Sequence, residues 1–171
     1  MESRLSFVLV AFIILCNCTG GNEQKQESLT ALKKEISMKL IHDSIDYAFA
    51  LAEKGEILYP DDPQMSMVKA VIFQSRNMND SARYSFKRSY ILYDSLLHIR
   101  PCITFSINKA VCLMFLEGQD AYNDELDKIL ENDSYRKDIS AIEEYVEMLR
   151  LLQREDVERA FFQTRSWYYL K

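Results

Sequence analysis

Four Gly and three Pro are all the strong backbone punctuation that 171 residues carry. An all-β chain needs a turn every few residues and spends Gly and Pro to make them, so this scarcity favours long helices joined by short connections. The apolar spacing supplies the helices. Leu29, Leu32, Ile36 and Leu40 recur at helical period and predict a first amphipathic helix ending near His42. Tyr47 to Leu58 forms a second, stopped by Pro60, and Met65 to Met78 a third. A long fourth starts at Asp80-Ser81-Ala82, carries Phe86, Tyr90, Tyr93 and Leu97, and ends before Pro101. Ile103 to Leu116 is closed by Gly118; Tyr122 to Leu130, Ile139 to Leu152 and Val157 to Leu170 complete eight helices. The expected class is all-α, with antiparallel helix pairs stacked as a short α-hairpin array; an irregular helical bundle is the alternative.

The first 26 residues stand apart. Arg4 precedes the apolar run Leu5 to Leu15, and Thr19-Gly20-Gly21 follows it, which is the order of a secretory signal peptide. The run is too short to span a bilayer, since polarity returns by Asn17 and a crossing helix needs roughly 20 apolar residues. Leu15, Cys16, Asn17 and Cys18 together resemble a bacterial lipoprotein signal, in which a Leu three residues before a Cys marks the processing site. The resemblance implies that residues 1–18 end at a lipid-modified Cys18, that residues 19–26 are a polar tether, and that residues 27–171 are the helical domain. It places the chain in a bacterial cell envelope, lipid-anchored, at the outer membrane facing the periplasm. Several acyl chains on one residue hold far more tightly than one, because each buried methylene adds about 0.8 kcal/mol.

About 150 residues then remain, enough to bury one core. The formal charge of −5 and the absence of a clustered basic run argue against nucleic acid as a partner. Cys102 and Cys112 are expected to stay unbridged: on one helix they sit about 15 Å apart, beyond disulfide reach.

Residues 63–101 resemble a degenerate tetratricopeptide repeat. Ala70 stands where that pattern has a Gly, Phe73 where it has a Tyr, and Ala82 with Phe86 reproduces its A-x3-F. Ser66 and Lys69 replace the usual Trp and Leu, and Pro101 arrives late. Ala48, Ala52 and Pro60 suggest a preceding unit; Met148, Leu151 and Ala160 a later one, with Thr164 in place of the Phe. The resemblance implies a protein-binding groove lined by the first helix of each pair, here including Val68, Lys69 and Ile72.

No catalytic constellation, phosphate loop or zinc spacing is visible, so no enzyme, metal or cofactor is expected. His42 and His98 sit near helix ends without evident ligand partners. Asp124-Glu125 with Asp127, and Glu143-Glu144 with Glu147, are expected on solvated faces. Asp43 and Asp80 are expected to cap helices.

The C-terminal segment Ala160 to Leu170 is apolar over about 220° of a helical wheel, roughly twice what one neighbour can cover. Phe162, Trp167 and Tyr169 are therefore candidate protein-binding residues, for a partner protein or a second copy of the chain. The expected function is a membrane-anchored interaction module or assembly scaffold. An immunity-type inhibitor of an envelope-targeted toxin and an enzyme acting on envelope polymers are the alternatives. Two acids meeting in one polar pocket would favour the enzyme.

Overall fold

A computed structural model describes residues 23–162, with side chains uncharacterised at 136–141 and 160–162. Among the described residues the chain is all-α, without strands: α1 (Glu23–Ile41), α2 (Ile45–Leu58), α3 (Pro63–Ser75), α4 (Asn79–Ile99), α5 (Ile103–Leu116), α6 (Gln119–Glu131), a 3-10 helix (Asp133–Asp138), α7 (Ile139–Arg150) and α8 (Arg154–Phe162). Consecutive helices from α1 to α7 pack on each other, which makes the molecule a helical array. No helix among the described residues is long and apolar enough to cross a membrane.

The connections alternate in kind. Within the first three pairs the first helix ends in a left-handed residue, Asp43 (φ 58°), Asn77 (φ 57°) and Gly118 (φ 106°). At the first two, that residue's own amide and the next one reach back to close a Schellman turn: Asp43 N donates to Leu40 O and Ser44 N to Lys39 O, then Asn77 N to Gln74 O and Met78 N to Phe73 O. Between pairs the chain instead uses Pro60, Pro63 and Pro101, which end one helix and open the next. Asp62 caps α3 by accepting from Gln64 N at 3.0 Å. The expectation that Asp43 and Asp80 cap helices is corrected. Asp43 terminates α1, the N-cap positions of α2 and α4 are Ser44 and Met78 without a side-chain bond, and Asp80 lies in the first turn of α4.

Residues 23–26, expected to belong to a polar tether, are instead helical, because α1 starts at Glu23. Glu23 to Gln26 are good helix formers, and the hydroxyls of Ser28 and Thr30 donate back to the carbonyls of Gln24 and Gln26. The final helix begins earlier than expected, at Arg154, and its expected course beyond Phe162 lies outside the described residues.

The core runs along the first helices. On α3, Pro63 to Val68 and Ala70 to Ile72 are buried; on α5, Thr104 to Asn108 and Ala110 to Phe115. Helices buried on nearly every face must have neighbours on nearly every face. α2 and α4 flank α3, α4 and α6 flank α5, and α8 packs against α1 and α3. α4 supplies Phe86, whose ring stacks on Phe115 at 4.3 Å, and Tyr93, which meets Phe105 at 5.8 Å.

Candidate functional site

Residues 66–71 read Ser-Met-Val-Lys-Ala-Val and residues 106–111 read Ser-Ile-Asn-Lys-Ala-Val, at the same register of α3 and α5. The shared lysines do the same job. Lys69 Nζ donates to Glu56 Oε2 at 2.7 Å while Ser66 Oγ donates to Glu56 Oε1 at 2.6 Å, with Arg88 Nε 3.8 Å away. Burial pushes the Glu56 carboxyl up, but the bonds from Lys69 and Ser66 and the charges of Lys69 and Arg88 outweigh it, leaving the group below the ordinary carboxylate range. Lys109 Nζ reaches Asp94 Oδ1 at 2.7 Å and Glu125 Oε1 at 3.0 Å. Each lysine thus reaches back from a first helix to an acid on the second helix of the preceding pair. Lys33 closes the first pair onto the second differently, through Asp62 at 2.6 Å, with side chains only 5% and 3% exposed.

Around Lys109 the array opens into a cleft of about 240 Å³ between α4, α5, α6 and the 3-10 helix. Leu97, Pro101 and Ile129 give it an apolar wall, and Asp94, His98, Lys128 and Asn132 a polar one. At its far side Ser106 Oγ and Tyr135 OH share a hydrogen bond of 3.1 Å. The two carboxylates, Asp94 and Glu125, meet on one ammonium. Burial lowers the Lys109 pKa, yet the bonds it donates to Asp94 and Glu125 more than offset it, so Lys109 is raised and remains a cation at neutral pH. A lysine so held is neither a nucleophile nor a general base. Glu125 is also held by Lys128 at 3.0 Å. Its expected place on a solvated face is therefore corrected: Glu125 is buried at 6% exposure because two lysines compensate it.

Sequence reading passed over three features of this region. Asp94 stands one helical turn before His98, whose Nδ1 lies 2.7 Å from the Asp94 carbonyl. The recurrence of Ser-x-x-Lys-Ala-Val was legible in the sequence and was the signal that could have found Lys109. Asn108 carries no such signal. It is 1% exposed, and neither Oδ1 nor Nδ2 has a hydrogen-bond partner among the described residues.

The expected groove is the larger correction. Val68 (5% exposed) and Ile72 (1%) are core side chains, so they present nothing to a partner. Lys69 is spent on Glu56. The first helices α1 and α3 are instead covered by the chain's own α8, and the Arg154 guanidinium at the start of α8 lies 5.0 Å from the Phe115 ring of α5. Phe162 closes α8, but its side chain, together with Trp167, Tyr169 and Cys18, lies outside what is described. Neither Cys102 nor Cys112 is in a disulfide among the described residues, and burial pushes Cys112 up to about 12.

No family model matches the chain, and neither a curated protein nor a solved structure matches it.

Proposed function

We propose that the chain is a lipid-anchored bacterial envelope protein, held at the outer membrane through Cys18, whose short tetratricopeptide-like array binds another protein and scaffolds it near the membrane. The observation that carries this reading is the stack of hairpins with one register repeated in the second and third pairs, Ser-x-x-Lys-Ala-Val at 66–71 and 106–111, the lysine of each stapling its pair to the one before. Stacks of this kind suit a scaffold, because their units lean mainly on their neighbours and leave extended surfaces free; here α8 also reaches back, to α1 and α3. With Val68 and Ile72 enclosed, the contact surface in this reading moves to the C-terminal aromatic residues, Phe162 supplying an apolar ring and Trp167 and Tyr169 rings with a polar tip.

The test is capture of the tethered protein from cross-linked native membranes beside a Phe162→Ala/Tyr169→Ala variant. A specific protein recovered with the first and lost with the second supports the reading; no specific protein from either form rejects it. The convergence of Asp94 and Glu125 in one cleft favours a second reading, an enzyme acting on envelope polymers. That reading requires release of envelope glycan fragments by the purified chain and its abolition by Glu125→Gln.

A further inference from the structure

The hairpin topology puts two kinds of feature at one end of the array. α1 begins there, and α2 and α4 finish there: Lys25 of α1 sits 5.8 Å from the Tyr59 ring just past α2, and Arg88 and Ser89 of α4 donate to the carbonyls of Pro60 and Pro63. From Ser89, α4 runs on to Ile99, about 15 Å further. This end carries the two most exposed large apolar side chains among the described residues, Ile57 at 80% and Ile99 at 82%, with Leu58 at 50% beside the first. Aliphatic side chains at helix ends have no reason to face bulk water, since each leaves roughly 1.5–3 kcal/mol of burial unrealised.

The anchor lies at the same end. α1 starts at Glu23, so only residues 19–22 separate it from Cys18, and five residue steps reach at most about 18 Å even when fully extended. A headgroup layer adds several Å on each side of the hydrocarbon core. With Cys18 lipidated, the start of α1, at the same end as Ile57, Leu58 and Ile99, is held within about 18 Å of the lipid-bearing residue, near enough to settle on the headgroups.

We propose that this end of the array rests on the bilayer surface, with Ile57, Leu58 and Ile99 seated in the headgroup and upper acyl region. The proposal rests on the lipid-anchor reading and deepens it: the anchor fixes orientation as well as location. Basic Lys25 and Arg100 at this end meet acidic Glu23, Glu27 and Asp61, so no basic patch forms there; apolar insertion rather than charge carries the contact and salt has little effect on it. The opposite end, with Asp43, Asp46, Asp80 and Asp120, faces away from the membrane.

The test uses the full chain, expressed with its N-terminal segment and isolated with membranes, carrying a photoreactive benzophenone side chain at position 57, 99 or, as the far-end control, 80. Illumination is followed by mass analysis of the adducts. The expected result is at least about fivefold more lipid adduct at 57 and 99 than at 80, given insertion of 5–10 Å at one end only. Equal lipid adduct at all three positions, or none at any while the chain still sediments with membranes, overturns the docking and leaves the anchor standing. Protein adducts at 57 and 99 in place of lipid assign the surface to a partner or second copy and overturn it too. A chain that fails to sediment overturns the anchor and the docking together.

Discussion

Asn108→Val should make the protein more stable. The Asn108 side chain is 1% exposed on α5, and its amide oxygen and nitrogen have no partner among the described residues. Burying an unpaired amide costs about 1–3 kcal/mol in proteins, and the cost disappears when the amide does. The duplicated register shows that the fold tolerates the replacement, because Val68 occupies the same place on α3 at 5% exposure. Asn and Val are close in size and in helix propensity, so neither overpacking nor backbone preference should cancel the gain. The expected effect is a stabilisation of about 1–3 kcal/mol, or about 3–10 °C in Tm for a domain of this size. Urea titration with a shifted midpoint and an unchanged slope is the assay. The reciprocal change, Val68→Asn, should cost at least as much as the first gains. A destabilised Asn108→Val protein would refute the reasoning, since it would mean that the amide is satisfied, by a buried water, and contributes to the fold.

Gly55→Ala should destabilise by about 1 kcal/mol: a Cβ there would lie 2.9 Å from Met65 Cγ, nearer still to its sulfur, and 3.2 Å from Leu32 Cδ2, and overpacking of about 1–3 kcal/mol exceeds the helix gain of up to about 1. Truncating the buried Met65 in the same chain should give losses smaller than the sum, as a double-mutant cycle by thermal melts will read. Glu56 has a folded pKa below its unfolded value, so its stabilisation is present above the unfolded pKa, near 4.3, and is lost as pH falls through the lower folded one. Glu56→Gln should therefore lower stability at pH 7 and flatten this part of the acid limb, measured by denaturation from pH 7 to 3. Cys112, with its thiol pushed up to about 12 by burial, should resist a thiol reagent at pH 8 in the native protein while half-buried Cys102 reacts, and peptide mass mapping after labelling distinguishes them.

The helices were legible because their evidence is local: apolar period, Pro and Gly. Pro60, Pro101 and Gly118 stand at the boundaries they imply. Element ends were less so where the deciding interaction was a backbone turn. Asp43 reads as a cap by residue type, yet it sits at φ 58° because Asp tolerates the left-handed region that closes a Schellman turn. The groove was misread for a non-local reason. Whether Val68 and Ile72 face a partner or a core depends on how α2, α4 and α8 close around α3, and nothing within residues 68–72 announces that packing. The burial of Glu125 was missed similarly: it sits among acids in sequence, and Lys109 of a different helix joins its own helix's Lys128 in compensating it.

Where the duplicated register departs from itself, the departures fall in the third pair. Lys69 and Lys109 keep one role, and Ser66 and Ser106 one place, so these positions describe the scaffold. Val68 becomes Asn108, and buried Ser85 of α4 corresponds in spacing to buried Glu125 of α6. Both exchanges put a costlier polar group into an enclosed position. Glu125 offsets its cost with Lys109 and Lys128 and thereby shapes the cleft; Asn108 offsets nothing among the described residues. A scaffold selected for stability alone would lose Asn108 first, because the valine solution already exists 40 residues away in the same chain. Its presence marks a position on α5 where the fold carries a cost that the matching position of α3 does not.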